Sequence, residues 1–285
     1  MKIIISPAKK MLEGNHTWGP ANKPYFIEES KELLKILNSM DLEQLTKLWS
    51  CSHKLADESY KRLKKIDLEG ENQVAALFSY DGIQYQNMAP NAFSQAQLDF
   101  ITENLRILSG FYGVLRPMDG VMPYRLEMQA KLAIGSSKNL YEFWGKKLAK
   151  RLLEEDLTDS LDNHPVIVNL ASKEYSKAIL PYLDQVCEET DYTIEQCNVI
   201  TCIFGTLKDG KVVQKSTESK AARGTMVRYL ASVCGSTNFK DVMDNVKKFD
   251  QLGFTFDEGR SLKTSLTGKK AGAIEVIEET LVFVK

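Results

Sequence analysis

The chain has 285 residues, 43% of them hydrophobic and 26% charged, the balance of a globular protein able to bury a sizeable core. A formal net charge of -1 and a pI near 6.4 exclude a globally basic nucleic-acid binder, but not a local basic patch, because phosphate affinity depends on where lysines and arginines sit. Five scattered cysteines without a C-x-x-C pair and three histidines without ligand spacing exclude a disulfide framework and a structural zinc site.

No stretch is apolar for long enough to span a membrane, and Met1 to Pro7 is too short for a signal peptide. A cytoplasmic protein is expected, with no membrane partner, no metal and no cofactor. Ile3 to Ile5 is a short apolar run stopped by Pro7, which predicts a buried first strand. Ser6-Pro7-Ala8-Lys9-Lys10 leaves it as a loop. Loops at the C-terminal ends of strands line ligand crevices in α/β sheets, so Ser6 and Lys9 are candidates. A solvated lysine pair is the alternative.

Helical periodicity follows over Phe26–Leu37, over Leu42–Leu48 with Asp41 as N-cap, and over Ser52–Ile66. These segments carry mixed charge and read as scaffold. Ala75–Phe78 is a short apolar run. Tyr80-Asp81-Gly82-Ile83-Gln84-Tyr85 reads as a turn whose two tyrosines either stack a base or pack at the core edge. Ser94 caps a helix predicted to run to Leu108, with Leu98, Ile101, Leu105 and Leu108 as its buried stripe.

The most informative stretch comes next: Leu108-Ser109-Gly110-Phe111-Tyr112-Gly113-Val114-Leu115-Arg116-Pro117, continuing to Pro123-Tyr124-Arg125-Leu126-Glu127-Met128. Glycine lets a backbone bend or approach a ligand closely, proline fixes φ, and arginine offers a planar fork of donors for phosphate or carboxylate. Such a stretch is either a backbone-defined site presenting cations or a packed corner whose arginines pair with nearby acids. Asn139–Leu153 then resumes as a helix with Leu140, Phe143, Trp144 and Leu148 facing inward.

His164–Ser172 is the clearest buried strand, its β-branched run suited to cover on both faces. Its polar exit, Asn169 to Ser172, leads into a helix starting Lys173-Glu174-Tyr175, a place where α/β proteins put ligand groups. Ser172 serves equally well as an N-cap. Val199–Leu207 and Lys211–Lys215 about Asp209-Gly210 predict a β-hairpin. The same residues contain Gly205-x4-Gly210-Lys211, but Val212 lacks the hydroxyl of a P-loop and the segment does not open a helix, so that motif is rejected.

Ser219–Tyr229 reads as a helix on which Lys220 and Arg223, three apart, share a face. From residue 205 to 230 six cations stand against two acids, a local excess of four in a nearly neutral chain. Asp241–Phe249 is a further amphipathic helix, and Phe254–Phe256 with Leu281–Val284 are closing strands. Residues 258–279 carry no functional expectation. With no repeat, low-complexity tract or Pro/Ser linker, a single domain over 1–285 is expected.

Ile5-Ser6-Pro7-Ala8-Lys9, Leu108–Pro117, Pro123–Met128, Tyr141-Glu142-Phe143-Trp144-Gly145, Asn169–Tyr175 and Lys220-Ala221-Ala222-Arg223-Gly224 occur in this order along nearly the full chain. This series resembles the YaaA family of bacterial peroxide-stress proteins. The resemblance implies a compact α+β domain of unusual topology, with a mixed sheet flanked by helices and a basic cleft. It also implies a helix-hairpin-helix-like element, which Ser94–Met128 would supply with Gly110 and Gly113 in its hairpin. By the same resemblance the protein binds DNA and limits hydrogen-peroxide damage linked to free iron.

Three readings of the residues stay open. In the first, Lys9, Arg116, Arg125, Lys220 and Arg223 converge on one cleft and contact DNA phosphates, while Tyr112 or Tyr124 stacks on an unpaired base. Phosphate contacts carry no sequence information, so such binding is nonspecific or selective for DNA structure. In the second, the cluster of Ser6, Asn169, Ser172, Glu174 and Tyr175 beside those cations belongs to an enzyme acting on a nucleotide or a modified base in DNA. Glu174 is then the catalytic acid or base and Lys9 an anion clamp. In the third, the same side chains form an ion-pair network with no ligand. No histidine–carboxylate or cysteine cluster at ligand spacing supports a direct iron site.

Overall fold

Strand β1 (Lys2–Ile5) is buried over its whole length, as three consecutive isoleucines demand: side chains on both faces of a strand need cover on both. The computed structural model describes residues 1–13, 19–159, 164–189, 194, 196–235, 237–267 and 274–285. After the short strand β2 (Lys10–Met11) come three helices, α1 (Ile27–Ser39), α2 (Leu42–Trp49) and α3 (His53–Leu63), close to their predicted bounds. At the start of α2 the Gln44 amide donates to the Asp41 carboxylate at 2.8 Å, and the Asp41 amide to the Gln44 side chain at 2.9 Å.

The next stretch alternates in short pieces: β3 (Val74–Ala75), α4 (Ala76–Ser79), β4 (Tyr80–Asp81) and α5 (Ile83–Met88). The expected turn with two tyrosines is thus a strand end and a helix start, and the Tyr80 and Tyr85 rings pack 5.4 Å apart. Helix α6 (Gln95–Asn104) opens at Ser94 with a capping box to Gln97, but it stops four residues before Leu108. From there β5 (Leu105–Ser109) lies parallel to β1, Leu105 opposite Ile3, and β6 (Gly113–Leu115) returns antiparallel. Leu105, Ile107 and Leu108 are fully buried, and pairing with β1 outweighs the helical preference of leucine. Ser94–Met128, the expected seat of a helix-hairpin-helix-like element, is a helix running into a β-hairpin. No second helix follows Gly113 until residue 140.

Strand β7 (Gly120–Val121) pairs with β3. The single helix expected over Asn139–Leu153 is two, α7 (Leu140–Trp144) and α8 (Lys147–Asp159), broken at Gly145 where φ is 48°. Strand β8 (Val166–Leu170) leads through Ser172 to α9 (Lys173–Ser176), and α10 (Leu183–Glu189) follows. Strands β9 (Gln196–Lys208) and β10 (Lys211–Val213) make the expected hairpin, with Asp209 and Gly210 both at positive φ as a tight two-residue turn requires. Helices α11 (Ser216–Val233) and α12 (Phe239–Lys247) precede β11 (Thr255–Ser265) and β12 (Glu275–Val284). These last strands reach well beyond the closing segments read from sequence, because β12 runs along β9 from Gln196 to Gly205.

The main sheet has the order β11-β12-β9-β8-β1-β5-β6, with β10 attached to β9. Its five inner strands are parallel and each end carries one antiparallel strand. The protein is thus a compact α+β fold, a mostly parallel mixed sheet flanked by helices. Since β5, β1 and β8 are adjacent and parallel, their C-terminal ends share one edge of the sheet, where the chain places Ser109, Ser6 and Ser172. Among the described residues no helix is long and apolar enough to cross a membrane.

Candidate functional site

At that sheet edge the chain leaves β1 and β8 side by side. The Ser6 hydroxyl accepts from the Ser172 amide at 2.8 Å and donates to the Ser172 hydroxyl at 3.2 Å, tying the two exits together. Tyr85 donates to the Ser6 carbonyl at 3.0 Å, which fixes α5 against the β1 exit. Helix α11 closes the other side. It comes so near α5 that a Cβ on Gly224 would lie 1.9 Å from the Gln84 carbonyl oxygen, so only glycine fits there.

These elements, with the 124–127 loop segment and α9, surround a cavity of about 400 Å³. Lining it are Ser6, Lys9, Tyr124, Arg125, Ser172, Glu174, Tyr175, Lys220 and Arg223, candidates drawn from four separate parts of the sequence. The lining also includes Lys10, Asp81, Gln84, Tyr85 and Glu127. Five cations therefore face three carboxylates. Glu127 sits between Lys9 (3.1 Å) and Arg125 (3.4 Å), and Lys10 pairs with Asp81. For Lys220 and Arg223 no carboxylate partner is found among the described residues.

Several polar atoms here are buried and without a hydrogen-bond partner: Gln84 Nε2, Arg125 Nε, Arg223 Nε and Glu127 Oε1, the last held only by its ion-pair contacts. Native interiors leave few such atoms, so four of them in one cavity set it apart from a sealed core. Burial also lowers the Arg223 guanidinium from its ordinary value. Burial raises the Glu174 carboxyl above the ordinary range; the Glu127 charge adds to this, while the Gln129 and Met128 amides and the Lys9 ammonium oppose it. The Gln129 amide donates to Glu174 Oε1 at 3.3 Å.

Tyr124 is fixed by hydroxyl contacts to Ser109 at 2.7 Å and Tyr80 at 2.9 Å, and burial pushes its phenol up to about 12. Tyr112 stands behind it, ring centroids 5.3 Å apart, with its hydroxyl donating to the Met122 carbonyl and accepting from the Met122 amide. It does not line the cavity. Asn169 is buried beneath the site, accepting from the Ala171 amide at 3.0 Å and donating to Thr201 at 3.1 Å, so it shapes the β8 exit without reaching the cavity.

Arg116 is elsewhere. Its Nε donates to Asp119 at 2.9 Å and an Nη to the Lys23 carbonyl at 3.1 Å, which is the packed-corner reading of that stretch. Gly110 and Gly113 are buried inside the hairpin. A Cβ on Gly110 would meet the Leu126 carbonyl at 2.6 Å, and the amides of Phe111 and Tyr112 are taken by the Ser109 hydroxyl.

Gln84, Asp81 and Glu127 were not singled out by sequence reasoning. Glu127 lay inside the Pro123–Met128 motif, and its spacing of two from Arg125 on an extended segment was the available signal. Gln84 had none, since its place depends on Gly224 far along the chain.

A family profile described as "Peroxide stress protein YaaA" matches residues 1–260. The chain is 45% identical to a UPF0246 protein of Lachnoclostridium phytofermentans, over 93% of its own length and 95% of the relative's. It is 43% identical to UPF0246 proteins of Desulfitobacterium hafniense, covering 96% and 99%, and of Lactiplantibacillus plantarum, covering 92% and 96%.

Proposed function

This chain belongs to the YaaA family of peroxide stress proteins, and on that footing we propose that it binds DNA through the cavity, nonspecifically or by structure, with one unpaired nucleotide entering. The observation that carries this reading is the gathering of Lys9, Arg125, Lys220 and Arg223 around one cavity of about 400 Å³ in a molecule of near-zero net charge. That volume suits one nucleotide-sized ligand rather than a duplex. Lys9, with 69% of its side chain exposed, stands at the rim, where a strand leaving the cavity would carry its next phosphates. Under peroxide, DNA held in this way would be shielded from iron-linked oxidation.

The test compares one labelled sequence as a single strand, as a blunt duplex, and as a duplex with one unpaired nucleotide overhanging at an end. Unpaired forms should bind about tenfold tighter than duplex, a difference of about 1.4 kcal/mol. Lys9→Ala with Lys220→Ala should weaken all three. No detectable binding of any form at low salt would overturn the proposal.

A second reading keeps the same cavity and makes it catalytic on a nucleotide or base. It is favoured by one observation: Glu174 is half-buried, and burial together with the charge of a second carboxylate, Glu127, raises its carboxyl, the setting in which a carboxylic acid can serve as proton donor. Product analysis on nucleotides and modified-base DNA, wild type against Glu174→Gln, decides it; identical profiles remove the reading.

A further inference from the structure

Arg106 and Arg151 meet Glu155, Arg116 meets Asp119 and Arg125 meets Glu127. Arg223 is the contrast. Its guanidinium lines the cavity, its Nε is buried without a partner, and no carboxylate among the described residues neutralises it. A desolvated cation is costly unless an anion comes to it. Gln84, only 6% exposed, brings a second unpartnered donor, Nε2, to the lining of the same cavity. Arg125 Nε is a third buried donor in the lining, and Lys220 lies one helical turn before Arg223.

We propose that a seat in this cavity, formed by Arg223, Gln84, Arg125 and Lys220, takes a phosphomonoester: the terminal phosphate of a DNA strand end, not a phosphodiester within a continuous strand. Charge and acceptor count favour it. The lining has two more cations than carboxylates. A phosphomonoester carries about -1.5 to -2 at neutral pH and presents three strong acceptor oxygens. A phosphodiester carries a single charge, and its chain must both enter and leave the cavity. An end needs only to enter. The strand-end identity rests on the DNA-binding reading above; the phosphomonoester seat does not, since a free nucleoside monophosphate offers the same chemistry.

The experiment measures fluorescence anisotropy of one single-stranded oligonucleotide prepared with a 5′-phosphate, a 3′-phosphate or hydroxyl ends, the dye always on the opposite end. Free nucleoside monophosphate is both titrated directly and used as competitor. One phosphorylated end should bind about tenfold tighter than hydroxyl ends, as expected for a few charge-assisted hydrogen bonds. The monophosphate should compete away that advantage.

Arg223→Leu should abolish the advantage while melting no lower than wild type without ligand, because it leaves no carboxylate among the described residues without its partner. Lys220→Ala, at an exposed position, should reduce the advantage and serves where Arg223→Leu folds poorly. Equal affinity for phosphorylated and hydroxyl ends would overturn the seat while leaving DNA binding intact. Binding of the monophosphate without any DNA binding would uphold the seat and discard the strand. Binding of neither would discard both.

Discussion

Arg116 and Arg223 both stood as phosphate ligands when read from sequence, and their surroundings separate them. Arg116 is committed to the buried Asp119, so Arg116→Ala should cost about 1–3 kcal/mol in urea denaturation, from an acid left underpaired, while DNA affinity stays unchanged. Equal losses of stability and of affinity would contradict this assignment. Glu174 yields a pH signature. Its carboxyl is raised from the 4.5 of an unfolded chain, so between those values the folded state binds more protons than the unfolded one. Stability contributed by Glu174 is therefore full below about pH 4.5 and is lost as pH rises through the folded value. Glu174→Gln, which cannot ionise, should gain on wild type from pH 4 to pH 7 in thermal melts; a constant difference between the two would refute it. Ser6, Lys9, Ser172 and Glu174 were legible because polar groups at the exits of apolar strands stand out. Gln84 was not, since nothing within its own helix distinguishes it from a solvated glutamine.

The elements themselves were legible where the signal is local. Asp41 and Ser94 open helices because a capping box needs only four consecutive residues. The end of α6 was misread because Leu105–Leu108 continues a helical stripe, and only its partner β1, a hundred residues earlier, converts it to a strand. The reach of β11 and β12 depends likewise on a distant strand, β9. The cavity inherits its shape from the contact of α5 with α11, and Gly224 is the residue that permits it. Gly224→Ala would drive a methyl into the Gln84 carbonyl, forcing the helices apart and costing about 1–3 kcal/mol. The same change should weaken binding in the cavity, since Arg223 and Gln84 are placed from that contact. A variant as stable as wild type would contradict the close approach.

Across the whole molecule the charges nearly cancel, -1 over 285 residues, and that figure conceals the arrangement that matters. Composition could exclude a uniformly basic surface; it could not show that five parallel strands would bring the ends of β1 and β8 together, or that α11 would set Lys220 and Arg223 opposite them, without a carboxylate partner among the described residues. The proposed function has four cations from three chain segments act on one polyanionic strand. Its most direct measurement is the salt dependence of single-stranded DNA binding, in wild type and in Lys9→Ala/Lys220→Ala. Contacts from Lys9 and from the seat predict a clearly negative log–log slope that becomes shallower in the double variant, with Arg116→Ala at the wild-type value. A slope near zero, or one unmoved by the cavity substitutions, would contradict it.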